Sequence, residues 1–257
     1  MNATRARLLA EMTTDEVREL AGLAQATVLV PVGSVEPHGP HLPLATDTLI
    51  SEEAARRAAA VLDAKGIPTC VAPSVAYGVT EYAAGFAGAV SVPADVLTAL
   101  LAAIAGRLLA DGFAHVCLVN NHLEPAHDAA VRAAIGSLPI GAASIACPLT
   151  RRWARTLSDE FKRGNCHAGR YETSLVLAAG GKVTQRAAAL PAIATSLSEG
   201  IKAGKTTFRA MGLDRAYTGA PAEATREEGE TMLARLVEMI VAEVSDGLTA
   251  RGSAPVP

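Results

Sequence analysis

Short apolar, β-branched runs alternate with longer Ala-rich helical patterns along most of this chain, and that alternation restricts the fold more than any other feature. Residues 27–33 (TVLVPVG) read as a buried strand and 51–65 (SEEAARRAAAVLDAK) as a helix stopped by Gly66. A strand at 68–72, a helix at 94–112, a strand at 115–120, a helix at 126–137 and a strand at 140–147 follow. Helices at 171–179 and 226–247 close the pattern, and 186–220 has no clear period. Strands that are apolar throughout, separated by helices, imply a mostly parallel central sheet covered on both faces: a three-layer α/β/α arrangement. No linker or repeat interrupts it, so one domain over 1–251 is expected, with a flexible tail at 252–257.

Composition removes several function classes. Half of the residues are hydrophobic, enough for a large core, while aromatics make up only 4 %. Lys and Arg number 23 against 26 Asp and Glu, so no basic excess drives nucleic-acid binding. The mean hydropathy is +0.25, but the longest apolar run, around Val96–Ala105, ends at Gly106 and Arg107, too soon to span a bilayer. The first residues meet acids before a signal-like apolar stretch forms, and the four cysteines show no paired spacing. A reduced, cytoplasmic protein without membrane or nucleic-acid partners is expected.

The chemistry concentrates where strands end. Gly33-Ser-Val-Glu36-Pro-His38-Gly-Pro-His41-Leu-Pro-Leu-Ala-Thr-Asp47 follows the first strand directly. Pro37, Pro40 and Pro43 keep it extended, so Glu36 and His38 point the same way, and Asp47 returns a third ligand. A solvated loop would not need that density of metal-binding side chains. Asn120-Asn121-His122-Leu123-Glu124 leaves the strand 115–120 with the same two-residue spacing. If the two strands are neighbours, the five ligands can hold two divalent ions with one carboxylate bridging. Ligand softness assigns His38, His122 and Asp47 to a zinc-like site, and Glu36, Glu124 and Asp47 to an oxygen-only site for manganese or magnesium. His167-Ala-Gly-Arg-Tyr-Glu172 is a loop entering a helix, where His167 could transfer a proton. His41 and His127 read as supports of the ligands, His115 as a satisfied core residue, and Cys166 as a spare thiol lining the pocket. Gly200-Ile-Lys-Ala-Gly204-Lys205-Thr206 is one residue too short between its glycines for a phosphate loop and reads as polar surface.

Together the three motifs resemble the creatininase (creatinine amidohydrolase) family over roughly residues 10–245. The resemblance implies a two-metal hydrolytic centre in an α/β layered fold, usually a homohexamer. It places metal ligands at Glu36, His38, Asp47 (bridging), His122 and Glu124. It makes His167 the catalytic or substrate-contacting histidine and Glu172 its accompanying acid. The ions implied are zinc, manganese or both, with iron admissible. The chain departs from creatininase in the substrate wall: a tryptophan four residues before His167 is replaced by Arg163, and Phe86-Ala87-Gly88-Ala89 stands where Pro and Thr are usual. The expectation is therefore an amidohydrolase acting on a non-peptide carbon–nitrogen bond of a small, anionic amide. Tyr77, Thr80 and Arg163 would touch that substrate. The rivals are a peptidase or formamide hydrolase of the same family, and a metal-stabilised binding protein without turnover.

Overall fold

The computed structural model describes residues 6–253. Five parallel strands form one sheet in the order β1-β3-β2-β4-β5: β1 (Arg7–Leu8), β2 (Thr27–Val32), β3 (Thr69–Val71), β4 (His115–Asn120) and β5 (Ala143–Ala146). Side chains alternate across it. Val28, Val30 and Val32 of β2 join Val116 and Leu118 of β4 in a core under α1 (Thr14–Ala21), α3 (Ala94–Ala110) and α4 (Pro125–Ile135). Leu29, Cys117 and Val119 point the other way, toward α2 (Thr46–Ala64), α7 (Arg170–Ala178) and α9 (Arg226–Ser253). Both faces are covered, which explains why β2 and β4 are buried along their whole length. The expected three-layer α/β/α fold is thus observed.

Several boundaries differ from those read in the sequence. Helix α2 begins at Thr46 rather than 51, which moves Asp47 into its first turn. Helix α9 runs through Ser253, past the expected start of a tail at 252, while 254–257 lie outside the described residues. The strand β1, only two residues long, shows no period, and sequence reading missed the helix α1, which is amphipathic and opens on a capping box between Thr13 and Glu16. Short helices α5 (Arg151–Ala154), α6 (Asp159–Lys162) and α8 (Leu197–Lys202) fill the aperiodic regions. Phe208, Met211 and Leu213 build a small satellite core there. Among the described residues no helix is long and apolar enough to cross a membrane.

Strand order places the site. The chain leaves β2 toward β3 on one side, and leaves β4 toward β5 on the other. A crevice opens between the carboxyl ends of adjacent strands where connections diverge in this way. Val32 pairs with Asn120 at that point, so the segments after both strands emerge side by side.

Candidate metal centre

Close packing carries Asp47 beneath the end of β2. A Cβ on Gly33 would lie 2.5 Å from Thr48 Oγ1 and 2.6 Å from its backbone nitrogen, so only glycine lets the strand end sit on the first turn of α2. Ser51 Oγ donates to Val32 O at 2.8 Å and accepts from Asn121 Nδ2 at 3.0 Å, tying α2 to both strand exits. On the other side, a Cβ at Gly229 would come within 1.9 Å of Ser174 O, and this close approach seats α7, and with it Glu172, on α9.

These constraints gather Glu36, His38, Asp47, His122, His167 and Glu172 into one buried cluster. Asp47 faces two ways. Its Oδ1 lies 3.2 Å from His38 Nε2, and its Oδ2 lies 3.1 Å from His122 Nδ1. Glu36 Oε1 is 3.3 Å from His122 Nδ1, and Glu172 Oε2 is 3.5 Å from His38 Nε2. Ligand atoms therefore fall into a Glu36–Asp47–His122 group and a His38–Asp47–Glu172 group sharing Asp47; Glu36, His38 and His167 form a further grouping.

Hydrogen bonds show that the cluster suits a divalent ion. The far ring nitrogen of each histidine meets a backbone carbonyl: His38 Nδ1 and Glu36 O at 3.1 Å, His122 Nε2 and Val79 O at 2.7 Å, His167 Nε2 and Pro37 O at 3.0 Å. A carbonyl only accepts, so each of those nitrogens carries a proton, and the other nitrogen of each ring faces the carboxylates, where a proton or a metal ion can lie between them. Lone pairs facing carboxylate oxygens need a cation between them. Asp47 Oδ2, moreover, has no hydrogen-bond partner although it is buried. Mixed imidazole and carboxylate donors are the set that zinc and manganese accept.

Balanced by protons alone, the groups shift strongly. Burial opposes a charge on His38, but Asp47, Glu172 and Glu36 outweigh it and hold the imidazole up at about 10. His122 is likewise raised against burial by Glu36 and Asp47. Burial lifts Asp47 and Glu36, yet His38 and His122 hold Asp47 far below the carboxylate range, and His122 leads in bringing Glu36 to about 2. Burial pushes Glu172 up to about 8. Burial and the neighbouring charge of His38 lower His167 to about 4, so it is neutral at neutral pH.

The structure parts from the sequence reading at four residues. Glu124 stands outside the groups of closely spaced ligand atoms: its carboxylate accepts the Glu81 and Tyr82 amides at 3.0 and 3.1 Å, and the carboxylate grouped with His38 and Asp47 is that of Glu172. The expected division puts His38 and His122 together on one ion, whereas the two groups that share Asp47 have one of these histidines each. Thr80, expected to touch substrate, is buried and donates its hydroxyl to Glu36 Oε2. Tyr77 is 54 % exposed and Arg163 is exposed at the C-terminal cap of α6, in a separate depression with Asn165 and Gly219. Neither lines the cavity above the cluster, which has a volume of about 50 Å³ and apolar walls from Leu123, Leu197, Ile201 and Phe208. Sequence reasoning missed Phe208, whose ring lies 4.4 Å from that of His167. It also missed Tyr82 and the apolar residues of α8 in the same wall.

His127 and His41, expected to support the ligands, bond none of the candidate ligands directly. His127 reaches Val79 N and Asn120 Oδ1, and His41 Nε2 lies 2.9 Å from Thr173 Oγ1. His115 is satisfied by Gly141 O and Ser144 Oγ, and Cys166 lines the cavity as a neutral thiol raised by burial. Ala168 adopts a positive φ of 49°, uncommon for a residue with a Cβ, and its amide is held by Glu172 Oε2 at 2.6 Å. Such strain costs about 1–3 kcal/mol and persists where surrounding contacts fix it.

Comparison with known proteins agrees with this fold. Residues 10–244 match the model of the creatininase family, described as creatinine amidohydrolase. A mycofactocin precursor peptide peptidase from Mycobacterium tuberculosis is 32 % identical over 232 residues, 85 % of this chain and 84 % of the relative. Among solved structures, creatininase with manganese superposes with a TM-score of 0.71 at 20 % identity, covering 95 % of this chain and 99 % of that one. A zinc–zinc form of a variant creatininase gives 0.70, also at 20 % identity, with coverage of 95 % and 99 %.

Proposed function

The chain belongs to the creatininase family of hydrolases, and on that footing we propose that it is a two-metal hydrolase of an amide bond in a peptide. One observation carries the metal reading: three imidazoles, each anchored by a carbonyl on its outer nitrogen, turn their inner nitrogens toward buried carboxylates at the base of a cavity. The chain is thus expected to take zinc or manganese, iron being admissible. Glu36, Asp47 and His122 would hold one ion, and His38, Asp47 and Glu172 the other. Bound there, the pair supplies a water acidified from a pKa of 15.7 toward about 7 and polarises the amide carbonyl.

The residues around the ions do the remaining work. Asp47 would be shared by the two positions, since its Oδ1 faces His38 and its Oδ2 faces His122. Glu124 lines the cavity without belonging to either ligand group, and burial raises its carboxyl above the usual range. It is the group suited to take a proton from the attacking water and return it to the leaving nitrogen. His167, neutral and with Nε2 engaged by Pro37 O, is left with Nδ1 as an acceptor for a substrate N–H. The sequence reading gave His167 the proton-donor role; in this proposal Glu124 takes it instead.

A peptide is favoured over a small cyclic amide by two observations. The relatives that are 30–33 % identical are named as precursor-peptide peptidases. The cavity also lacks an indole wall: Trp153 is committed to Glu243 Oε1 at 2.6 Å on α9. Full-length protein stripped with a chelator and reloaded with manganese or zinc should cleave short peptides, leave creatinine and formamide nearly untouched, and keep its circular dichroism throughout. Turnover of creatinine or formamide with peptides intact would return the assignment to the non-peptide members. Collapse of the fold on chelation would indicate a structural metal site in a binding protein.

A further inference from the structure

We infer that His127 is a positioning residue, setting the Glu36–Asp47–His122 end of the centre through the segment Gly78–Tyr82. The inference rests on the two-ion reading above. His127 is fully buried in the first turn of α4 and belongs to none of the ligand groups. Its Nδ1 accepts the Val79 amide at 3.3 Å and its Nε2 donates to Asn120 Oδ1 at 3.2 Å. Asn120 in turn accepts the His122 amide at 3.0 Å and donates to His122 O at 3.0 Å, while His122 Nε2 donates to Val79 O at 2.7 Å. These bonds close a ring: His122 is gripped on its backbone by Asn120 and on its imidazole by Val79, and His127 joins the two grips.

The segment held by His127 reaches further. Thr80 Oγ1 donates to Glu36 Oε2, which leaves Oε1 to face His122. The Glu81 and Tyr82 amides hold Glu124. A Cβ on Gly78 would lie 2.5 Å from His127 Nδ1 and 2.8 Å from Gly33 O, so the backbone is pressed directly on the ring and on the end of β2. Five consecutive residues thus brace Glu36, His122 and Glu124. None of the hydrogen bonds described for them reaches His38 or Glu172, whose carboxylate is held by Ala168 instead. One end of the centre has a scaffold that the other does not share. A histidine suits this junction because its neutral ring accepts at one nitrogen and donates at the other, at fixed separation.

Calorimetric titration of metal-stripped, full-length protein with Mn²⁺ tests this. The wild type should show two binding events. Glu172→Gln should leave the event at Glu36–Asp47–His122. Adding His127→Phe, which keeps a ring but removes both bonds, should weaken that remaining event by about 10- to 100-fold. In the otherwise wild-type chain, His127→Phe should weaken one event and leave the other within about threefold. His127→Asn, which restores an acceptor for the Val79 amide, should recover part of the loss. Should His127→Phe fail to fold, Thr80→Val removes the bond to Glu36 and should weaken the same event. Equal weakening of both events, or of neither, overturns the inference. A wild type that takes no ion overturns the two-ion reading itself, and the two failures are told apart by that first titration.

Discussion

Glu172 Oε2 stands 3.5 Å from His38 Nε2 while accepting the amide of Ala168 at 2.6 Å, so the first turn of α7 brings its carboxylate against the side chains that follow β2. Glu124, only two residues beyond His122, turns instead to the amides of Glu81 and Tyr82. Paired substitutions separate the two carboxylates. Glu172→Gln should lose one ion by elemental analysis. Glu124→Gln should retain both and lose turnover by about 10²–10⁴-fold, the range of a proton-transfer group. The reverse pattern would restore Glu124 as the ligand.

Asp47 presents Oδ1 to His38 and Oδ2 to His122. Asp47→Ala should therefore lower occupancy at both positions, whereas Glu172→Gln lowers one. Full loading of the alanine variant would show that the two groups do not share this carboxylate.

What was legible in the sequence follows from how local each relationship is. Glu36, His38 and His122 occupy fixed spacings on extended segments leaving buried strands, and parallel pairing of β2 with β4 brings those exits together. The contacts of Glu124 and Glu172 were not legible, because both flank helix starts and differ only in which partners their carboxylates meet. The short helical turn at Glu81–Ala83 offers Glu124 its free amides, and nothing in the order of residues announces that contact. Phe208 and Ile201 escaped for a related reason: they come from an aperiodic stretch whose packing is decided by the cavity it covers.

Arg163 illustrates the same limit. Its place four residues before His167 suggests a substrate wall, but Gly164, with φ of 76°, turns the chain between them. The side chain is exposed outside the cavity. Arg163→Ala should leave KM for a cleaved peptide within about twofold, well under the tenfold that 1.4 kcal/mol of binding represents. A large rise in KM would reinstate the guanidinium as an anchor for an anionic substrate.

Gly33→Ala tests the packing that seats Asp47. The added methyl meets Thr48 backbone atoms at 2.6 and 2.8 Å, so the first turn of α2 must shift. Overpacking of this kind costs about 1–3 kcal/mol. Thermal melting should fall accordingly, and metal affinity should fall with it. Gly66→Ala makes no such contact and serves as the comparison for affinity, although its φ of 80° brings its own strain. An unchanged melting temperature and affinity in Gly33→Ala would separate the strand–helix contact from the site.

Protons and divalent ions compete for the same lone pairs, and this fixes the pH dependence of loading. With protons alone, His38 is held at about 10, His122 well above its ordinary value and Glu172 at about 8, so all three carry protons at pH 7. Coordination requires them without, so the protein before binding holds more protons than after. By linkage, affinity then rises with pH, and it continues to rise until His38 has titrated near pH 10. Filling both positions at pH 7 should release about three protons, read by calorimetry in buffers of different ionisation enthalpy. Glu36 and Asp47 add nothing to the count, because His122 and His38 already hold them ionised. Affinity that falls as pH rises from 6 to 8, or loading without proton release, would show that ions do not bind through these imidazoles and Glu172.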